Sequence, residues 1–188
     1  MSAKTAKIRN IPSSEPVRGE ALTFLVPEHC RVAESVLDQV ADSFRSNDTT
    51  VAIARPARLP KGIRRIFASR STVSWVEKNA EVDRLVAQAI ISSLPEVVHP
   101  KLDWNAGNPR NFLGLAAALY SKPDVIVFST LGMDPLGVAR PYAYVKSKRE
   151  EFFAVNVEWG IDAAENEDCN TAALFYGEQI WLGIEDTP

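Results

Sequence analysis

Residues Trp104 to Gly137 decide the fold of this chain, and they read WNAGNPRNFLGLAAALYSKPDVIVFSTLGMDPLG. The stretch begins with a loop whose only glycine is Gly107. A helix is predicted next, because Asn108 is a good N-cap, Pro109 is favoured at a first helical position and an apolar run follows. Four consecutive apolar residues, Val125–Phe128, then predict a strand that is buried on both faces. The order of helix, buried strand and tight turn indicates a layered α/β fold.

The same order of elements resembles the central segment of ABC-type ATPases. In that family a signature loop opens a helix, a Walker B strand ends in two acids, and a D-loop follows. The turn Gly132–Pro135 matches the D-loop, whereas Trp104–Asn108 differ from the signature loop. Ser129 and Thr130 replace the two Walker B acids. Neither carries a charge that would hold magnesium or orient an attacking water.

Upstream, a buried strand over Leu22–Val26 passes directly into a helix predicted over Arg31–Phe44. The resemblance places the family's phosphate-binding P-loop on Pro27–Glu34. Such a loop needs glycines, whose N–H groups converge on phosphate, and a lysine. Here Pro27 and Val32 replace the glycines, and the lysine and hydroxyl residues are also missing. An ordinary strand–turn–helix is therefore expected.

Two more apolar runs, Val51–Ala54 and Phe152–Val155, complete the four predicted central strands. The expected fold class is α/β, a trimmed three-layer P-loop-NTPase-like sandwich of the ABC ATPase type. One helix over Thr72–Leu94 resembles a reduced helical subdomain of that family. Residues 1–20 are predicted to be a flexible segment, and residues 21–188 a single domain. The expected later elements are two helices and two strands, over Val138–Glu150, Ile161–Glu167, Thr171–Tyr176 and Gln179–Gly183.

A basic segment separates the second predicted strand from the long helix. Between Thr49 and Val76 the chain has six cations and no acidic residue. One interpretation is a solvated loop beside an edge strand. The other is a docking patch for an acidic partner or for anionic head groups. The residues of this candidate patch are Arg58, Lys61, Arg64 and Arg65.

Composition limits the functions and cellular locations that are expected for this chain. A net charge of −3 over 188 residues argues against nucleic-acid binding. Cys30 and Cys169 lack metal or redox spacing. No apolar run approaches the roughly 20 residues of a membrane span. The chain is expected to be cytoplasmic, with peripheral attachment at the inner membrane as a further option.

The functional prediction depends on motif residues of the ABC-type ATPases that this sequence lacks. Besides the P-loop lysine and the Walker B acids, the chain lacks a Q-loop glutamine between Gln39 and Gln88, and a switch histidine near Val157 or Glu158. The resemblance therefore implies a pseudo-ATPase rather than an enzyme, with no catalytic residue, cofactor or metal. The first hypothesis is a structural or regulatory subunit of a membrane transport or envelope (polysaccharide or lipid) export complex.

Such a subunit would pair with itself or with an active ABC-type ATPase, and with a membrane subunit. The second hypothesis is a half-site subunit that completes the ATP site of an active partner. A free-standing binding module for another small molecule is a third. The resemblance assigns the subunit interface to the signature-like loop and the D-loop, at Asn105, Gly107, Asn108, Gly132 and Asp134. Alternatively, Gly132–Pro135 is only a turn with a helix-capping aspartate.

Overall fold

The computed structural model describes residues 7–9, 15–27, 33–45, 48–59, 71–130, 133, 135–160, 178–181 and 183–185. The strands are β1 (Lys7–Arg9), β2 (Ala21–Pro27), β3 (Val51–Ile53), β4 (Val125–Ser129), β5 (Phe153–Gly160), β6 (Glu178–Trp181) and β7 (Gly183–Glu185). The helices are α1 (Ala33–Phe44), α2 (Thr72–Ala80), α3 (Arg84–Ser92), α4 (Asn108–Tyr120) and α5 (Pro135–Ser147). Short 3-10 turns cover Leu102–Trp104 and Arg149–Glu151.

The central sheet is parallel, and its strand order is β3-β4-β5-β2-β6. The chain crosses from β2 to β3 at the sheet edge, returns through β4 and β5, and then passes β2 to reach β6. Helix α1 packs on one face, while α4 and α5 pack on the other. This arrangement confirms the predicted three-layer α/β sandwich. All five strands end at the same edge, where open α/β sheets carry their sites.

Strand β4 is buried on both faces, as its apolar run predicts. Val125 and Val127 pack with α1, whereas Ile126 and Phe128 pack under α4 and α5. Each of these four side chains is at most 2% exposed. Burial on alternating faces is why a continuous apolar sequence forms a strand here.

The prediction that Val51–Ala54 is a central strand is wrong in position. β3 lies at the edge of the described sheet and ends at Ile53, and its three residues are only half-buried. Its apolar character reflects packing against α1 and β4 rather than cover on all sides. Lateral order comes from the crossover connections, which a local pattern does not encode.

The prediction of one helix over Thr72–Leu94 is also wrong, because the chain breaks into α2 and α3. Glu81 ends α2 with a left-handed φ of 54°, and the Asp83 carboxylate caps α3 by accepting from the Val86 N–H at 2.9 Å. A side-chain cap of this kind stabilises a new helix start by about 1 kcal/mol. Both helices pack on α4 in a separate apolar cluster, around Trp75, Val76, Ala87, Leu102 and Leu113.

Helix α4 begins one residue earlier than predicted. Asn108 is its first helical residue, and Gly107, with φ at 46°, is the N-cap. Glycine adopts this left-handed φ without the steric cost that a Cβ imposes. The predicted loop before it is in part the 3-10 turn Leu102–Trp104.

The other boundaries differ at both ends of the chain. α5 covers Pro135–Ser147 instead of Val138–Glu150, and β5 extends to Gly160. The strand predicted over Gln179–Gly183 is divided between β6, which already includes Glu178, and β7. β1 pairs antiparallel with β7, so three residues of the predicted N-terminal flexible segment belong to a two-stranded ladder. The elements predicted over Ile161–Glu167 and Thr171–Tyr176 lie outside the described residues.

Asp124 joins the starts of β3 and β4. Its Oδ2 accepts from the Thr50 hydroxyl at 2.7 Å and from the Thr50 N–H at 3.0 Å, and its Oδ1 accepts from the Arg18 guanidinium at 2.7 Å. The Thr50 bonds, with help from Arg18, lower the pKa of Asp124 to about 2. A carboxylate held in this way favours the folded state wherever it is ionised.

We expect Asp124→Asn to destabilise the protein at neutral pH and to matter progressively less in acid. The pKa is lowered on folding, so the contribution is complete above about pH 4 and is lost as the pH falls through about 2. Urea unfolding of both proteins between pH 6 and pH 2.5 measures this difference. A stability gap that stays constant across that range would contradict the assignment.

Candidate functional site

A polar cluster stands at the carboxyl ends of β4 and β5. Thr130 directly follows β4, and its hydroxyl donates to the Glu158 carboxylate on β5. The Tyr142 hydroxyl of α5 donates to Oε2 of the same carboxylate at 2.8 Å and lies 3.1 Å from the Thr130 hydroxyl. Thr130 is only 2% exposed, so the end of β4 is covered by these side chains.

The hydrogen bonds of this cluster run in one direction. The Asn156 Nδ2 group donates to the Tyr142 hydroxyl at 3.1 Å, and Tyr142 donates onward to Glu158. Burial, together with the neighbouring Glu158 charge, raises the pKa of Tyr142. The phenol therefore stays protonated and serves as a donor to the carboxylate.

Glu158 is the site residue that sequence reasoning missed. The resemblance directed attention to acids after β4, where Ser129 and Thr130 stand, and to a histidine near Glu158. The structure brings a carboxylate to the end of β4 from the neighbouring strand instead. Residues two apart on a strand share a face, so a polar Asn156–Glu158 pair in the apolar β5 was a usable signal.

Asn105 does not face outward as an interface residue would. Its side chain is 2% exposed, and its Oδ1 accepts from the His99 N–H at 2.7 Å. Its Nδ2 donates to the carbonyls of His99 and Lys101, at 2.9 and 3.1 Å, and to the Thr72 hydroxyl at 3.2 Å. These four bonds hold the loop in front of α4 against α2. In this conformation Asn105 offers no side-chain group to a partner.

The remaining interface predictions stay predictions. Gly107 is exposed, and Asn108 is partly buried, at the first turn of α4. Gly132 and Asp134 lie outside the described residues. The structure thus brings Asn105, Gly107 and Asn108 together at one helix start.

An aromatic platform stands beside Asn105, and we define it as Trp104, His99 and Lys101. The Trp104 and His99 rings stack with their centres 4.5 Å apart and their planes at 28°. The Lys101 ammonium lies 5.1 Å from the Trp104 ring centre. Trp104 remains 68% exposed, which is unusual for so large an apolar side chain.

The basic segment is only partly described. Arg58 is exposed, whereas Lys61, Arg64 and Arg65 lie outside the described residues. Arg55 forms an ion pair with Asp38. An open groove of about 320 Å³ runs past this point, between the loop after β3 and helices α2 and α4. Its lining includes Arg55, Arg58, Trp75, Asn79 and Gly114.

Within the described ranges, no group of three His, Cys, Asp or Glu side chains is placed to hold a metal ion. In that same part of the chain, no helix combines the length and the apolar character that a membrane crossing needs.

Comparison with known proteins identifies the fold. No family model matches the chain. Among solved structures it is similar to a chain of a metal-chelate type ABC transporter in an inward-facing conformation, with a TM-score of 0.62 and 13% sequence identity. The similarity covers 90% of this chain and 73% of that chain. The protein therefore has the predicted fold, a trimmed α/β fold of the P-loop-NTPase, ABC ATPase-like class with a reduced helical subdomain.

Proposed function

We propose that this chain is a non-catalytic, ABC ATPase-like subunit, a pseudo-ATPase that serves a membrane transport or envelope (polysaccharide or lipid) export complex as a structural or regulatory partner. The similarity in fold to an ABC transporter chain supports a transport-related role. One observation supports the proposal that the chain does not catalyse ATP hydrolysis. The end of β4 is buried beneath Tyr142 and joined to Glu158, where phosphoryl transfer would require an open crevice.

The chemistry of the crevice supports the same proposal. Phosphoryl transfer depends on positioning and on positive charge around the phosphates. Thr130 has no charge, and the nearby Glu158 carboxylate is already held by two hydroxyl groups. A carboxylate in this position repels a triphosphate unless a metal ion lies between them. In the sequence of Pro27–Glu34, Ala33 stands where the resemblance places the P-loop lysine.

We expect the purified protein neither to bind nor to hydrolyse ATP. Titration calorimetry with Mg-ATP should give no binding heat, and Ala33→Lys should not restore binding, because Pro27 and Val32 still prevent a phosphate cradle. An intact P-loop ATPase titrated in the same buffer is the positive control. Micromolar binding by the wild-type chain would refute the proposal.

The proposed partners are a second copy of this chain or an active ABC-type ATPase, together with a membrane subunit, and not nucleic acid. The proposed location is the cytoplasm, at the inner face of the membrane. The groove beside Arg55 and Arg58 supports docking of an acidic segment, because its edge carries the start of the basic segment. Native-level pull-down followed by mass spectrometry identifies the partner.

Charge reversal in the basic segment should weaken the complex. We expect the variant with glutamate at Arg58, Lys61, Arg64 and Arg65 to lose the co-purified partner in a salt-dependent way, with little change in melting temperature. Arg84→Glu, at an exposed cation outside the segment, is the control. Unchanged recovery of the partner would return the segment to the solvated-loop interpretation.

The alternative function is a half-site subunit that completes the ATP site of an active partner. The exposed Gly107 at the start of α4 favours it, because a helix N-terminus can approach a partner's phosphate there. Gly107→Trp and Asp134→Ala would then lower the partner's ATPase rate while this chain stays folded. Normal assembly and an unchanged rate would leave only the structural role.

A further inference from the structure

We propose that the aromatic platform of Trp104, His99 and Lys101 is an anchoring site for an acidic protein segment that carries an aromatic residue. This inference rests on the proposed function, since it assigns the chemistry of the partner that such a subunit binds. Four observations carry it: exposure of the ring, rigidity of its support, fixed hydrogen-bond donors, and charge.

Exposure is the first observation. Trp104 is 68% exposed. By contrast, Leu102, which is separated from it only by Asp103, is fully buried. Exposed tryptophans are typical of the residues that dominate protein interfaces. The ring already stacks on His99, so its orientation is set before any partner arrives.

Rigidity is the second observation. The four hydrogen bonds of the buried Asn105 side chain fix the residues on both sides of Trp104. The Thr72 N–H donates to the Pro100 carbonyl at 2.8 Å, and Ser71 forms a bridge with Lys101, so α2 supports the same loop. A pre-ordered site loses less conformational entropy when a partner binds.

The donors are the third observation. The Lys101 N–H donates to His99 Nδ1 at 3.0 Å, which places the proton of the neutral imidazole on Nε2. The platform therefore presents an N–H donor and an ammonium group beside one aromatic ring. Carboxylates are the matching acceptors in a protein segment, and a second aromatic ring matches the face of Trp104.

Charge is the fourth observation. Lys101 carries the positive charge of the platform, and its ammonium group lies 5.1 Å from the Trp104 ring centre. A cation beside an exposed aromatic ring favours a partner segment that carries carboxylates. Single-stranded nucleic acid would also stack on tryptophan, so the test includes it as the competing occupant.

The test uses fluorescence anisotropy with the full chain and three labelled probes: a random glutamate–tyrosine copolymer, polyglutamate and oligo-dT. We expect the copolymer to bind at least tenfold more tightly than polyglutamate, with an affinity that falls as salt rises. Trp104→Ala and Lys101→Glu should each weaken copolymer binding about tenfold, whereas Trp104→Phe should retain most of it. Leu85→Ala, at an apolar residue that is 77% exposed on α3, is the matched control and should change nothing.

Three results would overturn the inference: no binding of the copolymer, equal binding by Trp104→Ala, or tighter binding of oligo-dT, which would indicate a nucleic-acid site. Both key residues are on the surface, so the variants should keep the wild-type melting temperature. The copolymer test needs neither the native partner nor ATP. Its failure therefore leaves the pseudo-ATPase proposal standing, and the titration with Mg-ATP tests that proposal separately.

Discussion

Gly114→Ala should be the most damaging single-methyl change in the described part of this protein. A Cβ at Gly114 would lie 1.8 Å from the Arg55 carbonyl oxygen and 2.6 Å from its carbon, well inside any real contact. In an exposed helix the same change would add about 1 kcal/mol of stability. Here we expect a loss of about 3 kcal/mol or more in the free energy of unfolding.

The backbone that Gly114 meets cannot easily retreat. The Ala54 N–H donates to the Val127 carbonyl at 2.8 Å on one side, and the Ala57 N–H donates to the Arg110 carbonyl at 2.9 Å on the other. These bonds hold the Arg55–Pro56 segment between β4 and α4. Relief of the clash would therefore disturb the sheet edge or tilt the helix.

Urea unfolding compares Gly114→Ala with Gly107→Ala, its matched control. A Cβ at Gly107 meets nothing within 4 Å, so only the strain of its backbone, at φ 46° and ψ −114°, remains, which costs about 1 to 3 kcal/mol. Equal losses for the two variants would show that the close approach at Gly114 relaxes. Since Gly114 also lines the groove beside Arg58, the variant should impair partner docking as well.

Asn105→Asp should be nearly as damaging, although the two side chains have the same shape. The amide Nδ2 donates to three oxygens, at 2.9, 3.1 and 3.2 Å, and a carboxylate oxygen in its place would face all three without a hydrogen. Since the residue is 2% exposed, water cannot replace the lost bonds. We expect a loss of about 3 kcal/mol in the free energy of unfolding.

Asn111→Asp is the matched control, because the Asn111 amide is more exposed and makes one bond, to the Gly107 carbonyl at 3.2 Å. Chemical denaturation should show a loss below about 1 kcal/mol for that variant. A mild effect of Asn105→Asp on stability, combined with loss of partner binding, would instead support the interface role that the resemblance implies. A large loss of stability identifies Asn105 as the support of the aromatic platform.

The local patterns predicted a large share of the fold. The apolar runs at β2, β4 and β5 were recognised because a strand covered on both faces has few positions for polar residues. The polar exceptions include Thr23 in β2 and Asn156 and Glu158 in β5. The three-layer architecture followed from the need to cover such strands. The absence of P-loop and Walker B residues is likewise a property of the sequence, since the chemistry depends on residue type.

Only the tertiary structure decided how distant residues meet. Glu158 lies on β5 and Thr130 directly follows β4, and these two neighbouring strands are separated by α5 in the chain. The Thr130 hydroxyl donates to the Glu158 carboxylate, and no local pattern encodes that pairing. The resemblance assigns Asn105 to a subunit interface, yet α2 and the 97–101 loop enclose its side chain. The edge position of β3 and the contact of Gly114 with Arg55 depend on crossover connections. Sequence periodicity records whether a residue is buried, whereas chain topology decides what it is buried against.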